Sequence, residues 1–302
     1  MDYRSNVTYI TFGGHVEVQK YRYLYFVIMF TMYILIISCN VIIVCIIMIH
    51  KNLHEPMYIF IAALLINSVL FSTIIYPKLL IDFLSEKQII SYPACLFQWF
   101  SYYWLAASDI LLLSIMAYDR YVSICNPLKY TTIMQKKTVN IFLISAWVLP
   151  ACLLSVGLLL IAKKEICTFN LKGILCNSTV QTLHCVRSRT LNIYGLVNLV
   201  TVLILPVLFI LFTYSRILVV LYRCRGVRRR AAQTCLPHLL VLINFSCLTA
   251  YDVLLLRLEL NSPKIVGLIM TLQAVIYHPL FNPIIYGLTI TRIYDHLKRL
   301  FC

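Results

Sequence analysis

Seven stretches of this chain, at roughly 22–49, 57–81, 95–121, 139–162, 191–222, 233–257 and 265–288, stay apolar for longer than a buried helix in a soluble core needs. At 1.5 Å per residue, each can cross most or all of a hydrocarbon layer of about 30 Å. Lipid offers the backbone no hydrogen-bond partners, so each stretch must satisfy its own N–H and C=O groups and is expected to be a helix. The expected fold is an all-α membrane protein, a seven-transmembrane helix bundle. An odd number of spans puts the termini on opposite sides. With 61% hydrophobic and 12% charged residues among 302, the chain lies outside the range of soluble domains.

The formal net charge of +15 would suit a nucleic-acid binder, but the basic residues sit in short loops beside the spans. Membrane lipid headgroups are therefore the expected partner, and nucleic acid is not. Asp2, Glu17, Asp82, Glu86, Glu165, Asp252 and Glu259 fall at one end of the spans, and Glu55, Asp119 and Asp295 at the other. The second end also carries Arg223, Arg225, Arg228, Arg229 and Arg230 unopposed, and is expected to face the cytoplasm. Residues 1–21 would then be an extracellular N-terminus. They lack the apolar core of a cleavable leader, so span one is expected to be an uncleaved anchor. Asn6-Val7-Thr8 and Asn177-Ser178-Thr179 are glycosylation acceptor sequences. Of the twelve cysteines, Cys95, Cys167, Cys176 and Cys185 fall on the outer side, where an oxidising compartment favours pairing all four. Three pairings are open to them.

Span three is the organising rod. Cys95 and Arg120 are 25 residues apart, or roughly 37 Å along a helix, so one reaches each membrane face. The Asp119-Arg120 pair then meets water at a helix end, where charge is tolerated. Asp109 is the one acid deep in the membrane; such a carboxylate must be protonated or held by a cation or polar cluster, with sodium the metal to consider. Asn40 of span one is expected to bond a neighbouring helix. In span seven, Pro279 and Pro283 interrupt the backbone ladder and predict a hinge, with Asn282 and water taking the freed carbonyls. Beyond it, Ile293, Leu297 and Leu300 form one stripe, predicting a short amphipathic eighth helix within a cytoplasmic helix and tail at 289–302. Residues 1–302 read as a single domain. Phosphate-binding loops and metal-ligand motifs are absent, so neither enzymatic chemistry nor a cofactor is expected.

Met116-Ala117-Tyr118-Asp119-Arg120-Tyr121-Val122-Ser123-Ile124-Cys125, followed by Pro127-Leu128-Lys129-Tyr130, closely resembles the inner-end signature of the olfactory (odorant) receptors. These are a branch of the class A (rhodopsin-like) G-protein-coupled receptors. The likeness continues through Pro56-Met57-Tyr58, Thr213-Tyr214-Ser215-Arg216-Ile217, Thr234-Cys235 with His238, and Pro279 to Tyr286. Details of segments two and six look more like fish-type members. The resemblance implies bridges from Cys95 to Cys176 and from Cys167 to Cys185. It also implies a switch built from Asp119, Arg120, Tyr214, Asn282, Pro283 and Tyr286. Coupling to a stimulatory G protein that raises cyclic AMP would follow, with residence in the plasma membrane of sensory cilia. Two departures stand out. Ser68 occupies the span-two position where related receptors often carry an acid, which leaves Asp109 alone to hold sodium. Arg228 to Ala232 offers no acid to oppose Arg120, which predicts a loosely held inactive state.

Amine receptors resemble one another in an aspartate where this chain has Tyr102, and opsins need a lysine inside span seven, which 265–288 lacks. The faces expected to line the ligand cavity carry Trp99, Tyr102, Tyr103 and Ala106 on span three, and Asn198 and Val202 on span five. Span six would add Ser246, Thr249, Val253 and Arg257. Such a lining suits a small, partly apolar odorant. The Arg257 guanidinium further predicts an anionic one, such as a carboxylate. Two readings compete: a class A chemoreceptor for a lipid or peptide outside the nose, and a membrane transporter. A transporter would show repeated halves or several charges along a path, and only Asp109 is deep.

Overall fold

A computed structural model describes residues 8–186, 188–223 and 264–301. Asn6 and all of span six, with Ser246, Thr249, Val253 and Arg257, lie outside the described residues. Six helices among the described residues are long and apolar enough to cross a membrane. These are α1 (Val18–Ile49), α2 (Pro56–Leu84), α3 (Tyr92–Cys125), α4 (Lys136–Ala162), α5 and α6 (Lys264–Thr289), the last being the stretch counted seventh in the sequence. Helix α5 runs through three consecutive segments, Arg189–Asn198, Leu199–Ile204 and Leu205–Arg223, the middle one wound as a π-helix. A final helix, α7, spans Thr291–Phe301.

Prolines begin α2 and α3, at Pro56 and Pro93, where the first turn has no use for the missing N–H. Helix α1 buries a narrow stripe, Met29, Ile36, Asn40, Ile43 and Ile47, and leaves Val27, Ile34 and Val41 exposed, as a lipid-facing outer helix would. Helix α3 lies against α2, α4 and α5 and supplies the centre of the bundle. Leu112, Leu113, Met116 and Ala117 are each at most 3% exposed and pack with Leu64, Ile61 and Tyr286.

The two prolines of α6 do not part the helix, because another span repairs the ladder. Pro283 has no N–H to give the carbonyl of Pro279 four residues back. Asn40 Nδ2 of α1 donates to that carbonyl instead, at 2.9 Å, and to the Ile36 carbonyl at 2.7 Å. Asn282, expected in this role, turns elsewhere and donates to Ser68 Oγ at 3.3 Å. Helix α7 folds back under the bundle, burying Ile293 completely, pairing Arg292 with Glu55 at 2.7 Å and setting His296 against His50 with ring centroids 3.9 Å apart.

At the opposite end, a three-stranded sheet departs from the all-helical expectation. Strand β1 (Tyr9–Phe12) pairs antiparallel with β2 (Ile89–Ser91) and parallel with β3 (Asn170–Leu171), in the order β2-β1-β3. Ile10 and Phe12 alternate inward to meet Cys95, Trp99 and Leu171. Strands this short carry no legible periodicity, and their stability comes from partners far away in the chain. Gly13 and Gly14 are required by close approach: a Cβ would sit 2.6 Å from Asn170 Oδ1 and 2.6 Å from the Gly173 carbonyl carbon, respectively. Two disulfides hold the same end. Cys95–Cys176 (Cα–Cα 5.4 Å) ties the first turn of α3 to the long loop, and Cys167–Cys185 (Cα–Cα 4.8 Å) closes that loop on itself.

Candidate functional site

A cavity of about 160 Å³ opens between α3, α4, α5 and the loop that joins α4 to α5. Trp99, Tyr103, Ala106 and Ile110 recur every three or four residues, so one face of α3 forms its wall. Leu154, Gly157 and Ile161 face them from α4, and Tyr194, Asn198 and Val202 from α5. Ser178 and Gln181 of the loop roof it. The roof is fixed from below: the Cys176 N–H donates to Gln98 Oε1 at 3.0 Å, beside the disulfide. Among the described lining residues none is charged; the polar groups are amides, hydroxyls and one indole. Such a wall holds an apolar body and orients it by a few hydrogen bonds.

The floor is shaped by the π-helical turn of α5. Pro206 cannot donate to the carbonyl of Val202, and the wider winding of Leu199–Ile204 lies just before it. Leu203 there packs on Ile110, the neighbour of Asp109. Level with Tyr103 and Ala106 along α3, a polar belt joins three helices. Trp104 Nε1 donates to the Trp147 carbonyl at 2.8 Å, Trp147 Nε1 to Asn67 Oδ1 at 2.9 Å, and Asn67 Nδ2 to the Leu105 carbonyl at 2.9 Å. Asp109 is 2% exposed and interacts with the Asn67 side chain. No group of three or more His, Cys, Asp or Glu gathers there or elsewhere among the described residues.

At the far end of α3, Arg120 donates to Asp119 Oδ2 through Nη2 at 2.5 Å and Nε at 3.1 Å. The Tyr130 hydroxyl donates to the other carboxylate oxygen at 2.9 Å. Asp119 is fully buried, so both of its oxygens are used within this knot. Burial, then the Asp119 charge and their hydrogen bond, push the Tyr130 hydroxyl well above its ordinary pKa, which keeps it a donor. Tyr214 and Tyr286 are 3% and 1% exposed and share the core with Leu113 and Met116.

The olfactory receptor family profile matches residues 29–302. The chain belongs to the olfactory receptor family. Among its human relatives, Olfactory receptor 11A1 is 30% identical over 99% of this chain and 95% of its own length. Olfactory receptor 6K3 is 31% identical over 99% and 91%. The crystal structure of squid rhodopsin shares the fold, with a TM-score of 0.78 at 17% identity over 95% of this chain and 87% of that one. This olfactory receptor is thus a multi-pass plasma-membrane receptor with the seven-helix fold, and neither an enzyme nor a transporter.

The receptor brings Trp99, Tyr103, Ala106, Asn198 and Val202 together at the cavity wall. Tyr102 lies outside the described lining of this cavity and packs its ring against Phe71 of α2 at 5.5 Å. Asn177 is 9% exposed, with Oδ1 accepting from the Thr179 N–H at 3.2 Å and hydroxyl at 2.8 Å. The α4 wall was not foreseen, although Gly157 is the lone glycine of that helix and marks a close approach. Tyr130 was visible only as part of the signature; its bond to Asp119 depends on the turn at Pro127–Lys129 folding it back.

Proposed function

We propose that this olfactory receptor binds a small, uncharged, largely apolar odorant in the α3–α4–α5 cavity and signals through a stimulatory G protein that raises cyclic AMP. The observation that carries this reading is the wall itself, uncharged among its described residues and furnished with amides and hydroxyls. A carboxylate placed against it would lose its hydration with no cation among the described lining residues in return. Occupancy would bear on Leu203 and Ile110, and through α3 on the Asp119–Arg120–Tyr130 knot, favouring the state in which Arg120 is free to meet the G protein. The Cys95 end and the N-terminus are then extracellular, the Arg120 end and α7 cytoplasmic, and the sensory cilium the place of work.

The test is a cyclic AMP assay on cells expressing the receptor, screened against alcohols, ketones, amines and carboxylic acids. Neutral odorants are expected to activate. Activation by acids alone, abolished by Arg257→Ala at normal surface levels, would replace this odorant class with an anionic one. A signal carried through another second messenger would overturn the coupling.

A further inference from the structure

We propose that Gly157 of α4 and Tyr194 of α5 act as a pair to set the largest odorant the cavity accepts, an inference that rests on the cavity being the odorant site. Gly157 is buried in regular helix, and no glycine among the described residues has a positive φ, so its backbone does not require glycine. Space does. A Cβ at 157 would lie 2.9 Å from Cε1 of Tyr194 and 3.4 Å from Cη2 of Trp99, and the first is closer than real Cβ contacts come.

Both rings line the cavity, and one of them is tethered. The Tyr194 hydroxyl donates to the carbonyl of Leu153, one turn before Gly157 on the same helix. The phenol therefore bridges α5 and α4, held at its Cα by one helix and at its oxygen by the other. It lies close against α4 because residue 157 has no side chain. Any group added there drives the ring edge into the cavity, since the tether bars the opposite movement and Trp99 stands on the remaining side. No described residue facing this part of the wall is charged, so this part discriminates by bulk. The ligands sorted this way are uncharged aliphatic odorants, ranked by length.

The experiment uses the full-length receptor in cells, with straight-chain alcohols and 2-ketones of increasing carbon number, cyclic AMP as the readout and surface labelling in parallel. One methylene too many in a close-fitting apolar pocket is worth roughly tenfold or more. Gly157→Ala is expected to lower potency for the longest effective members by about that factor while sparing the shortest. Tyr194→Leu should extend the series upward, and the double variant should return the cutoff toward its original length. Tyr194→Phe keeps the ring but cuts the tether, and should blur the cutoff. If Gly157→Ala fails to reach the surface, the two Tyr194 variants decide the matter. Equal potency changes at every length, with normal surface levels, would overturn the size limit while leaving the odorant site standing. A surface-expressed wild-type receptor that ignores the whole series would sink the proposed odorant class and this inference with it.

Discussion

The two ends of the bundle are held by different chemistry. At the Cys95 end, two disulfides and a three-stranded sheet join the N-terminal strand, the loop after α2 and the loop after α4. At the Arg120 end, the described contacts are hydrogen bonds and ion pairs: Arg120 and Tyr130 on Asp119, and Arg292 on Glu55. Covalent and ladder bonds fix a shape, whereas an ion pair whose cation keeps one side in water, as Arg120 does at 22% exposure, can exchange its partner. A receptor with a fixed pocket and a rearrangeable inner face needs this asymmetry.

The largest effect that could break the comparison is loss of Cys95–Cys176. Cys176→Ser is expected to cost about 2–5 kcal/mol and most of the surface expression, read by thermal unfolding and surface labelling. Cys167→Ser, which opens a loop of 18 rather than 81 residues, should cost about 1 kcal/mol less in the chain-entropy account. Equal losses would show that the sheet, not the long bridge, holds this end.

Acid should loosen the same end. His15 packs edge-on against Phe83 at 5.8 Å; burial, and then the Lys78 charge, lower its pKa from 6.5 to about 4. Between those values the unfolded chain takes up a proton that the folded receptor refuses, so stability falls as pH drops from 6.5 toward 4 and levels off below. The loss is at most about 3 kcal/mol. His15→Leu should flatten melting temperature against pH across that window; an unchanged slope would clear His15 of the effect.

Inside the bundle, Asn40→Leu orphans the Pro279 carbonyl and should lower stability by roughly 1–2 kcal/mol, measured on purified receptor. A silent substitution would mean the α6 ladder is repaired some other way. The smallest shift belongs to the Arg120 end. Tyr130→Phe removes one of the bonds on Asp119 and should raise ligand-free cyclic AMP about two- to tenfold, at a cost of roughly 1 kcal/mol for the buried carboxylate oxygen left unpaired. A fall in basal signal would mean that Tyr130 serves the active state instead.

Much of this was legible in the residues. Apolar runs longer than a soluble helix requires could only be spans, and Cys95 and Arg120 at the two ends of one of them set the polarity of the whole. Helical spacing alone puts Trp99, Tyr103 and Ala106 on one face of α3. It does not announce the packing of the adjacent Tyr102 ring on Phe71, because a residue on the flank of a face is claimed by whichever neighbour offers the better contact. The α4 wall was hidden for a related reason: Leu154 and Ile161 look the same in lipid as in a cavity, and sequence does not say which side a helix presents.

The sequence by itself determined the membrane fold and the positions of the described spans, because burying apolar surface and satisfying the backbone leave a chain of this kind few choices. Tertiary structure alone decided the sheet over the Cys95 end, the carbonyl of Pro279 taken by Asn40, and the Tyr194 ring laid against Gly157. Each of these joins groups dozens to hundreds of residues apart, and each depends on distances that exist only once the helices have packed.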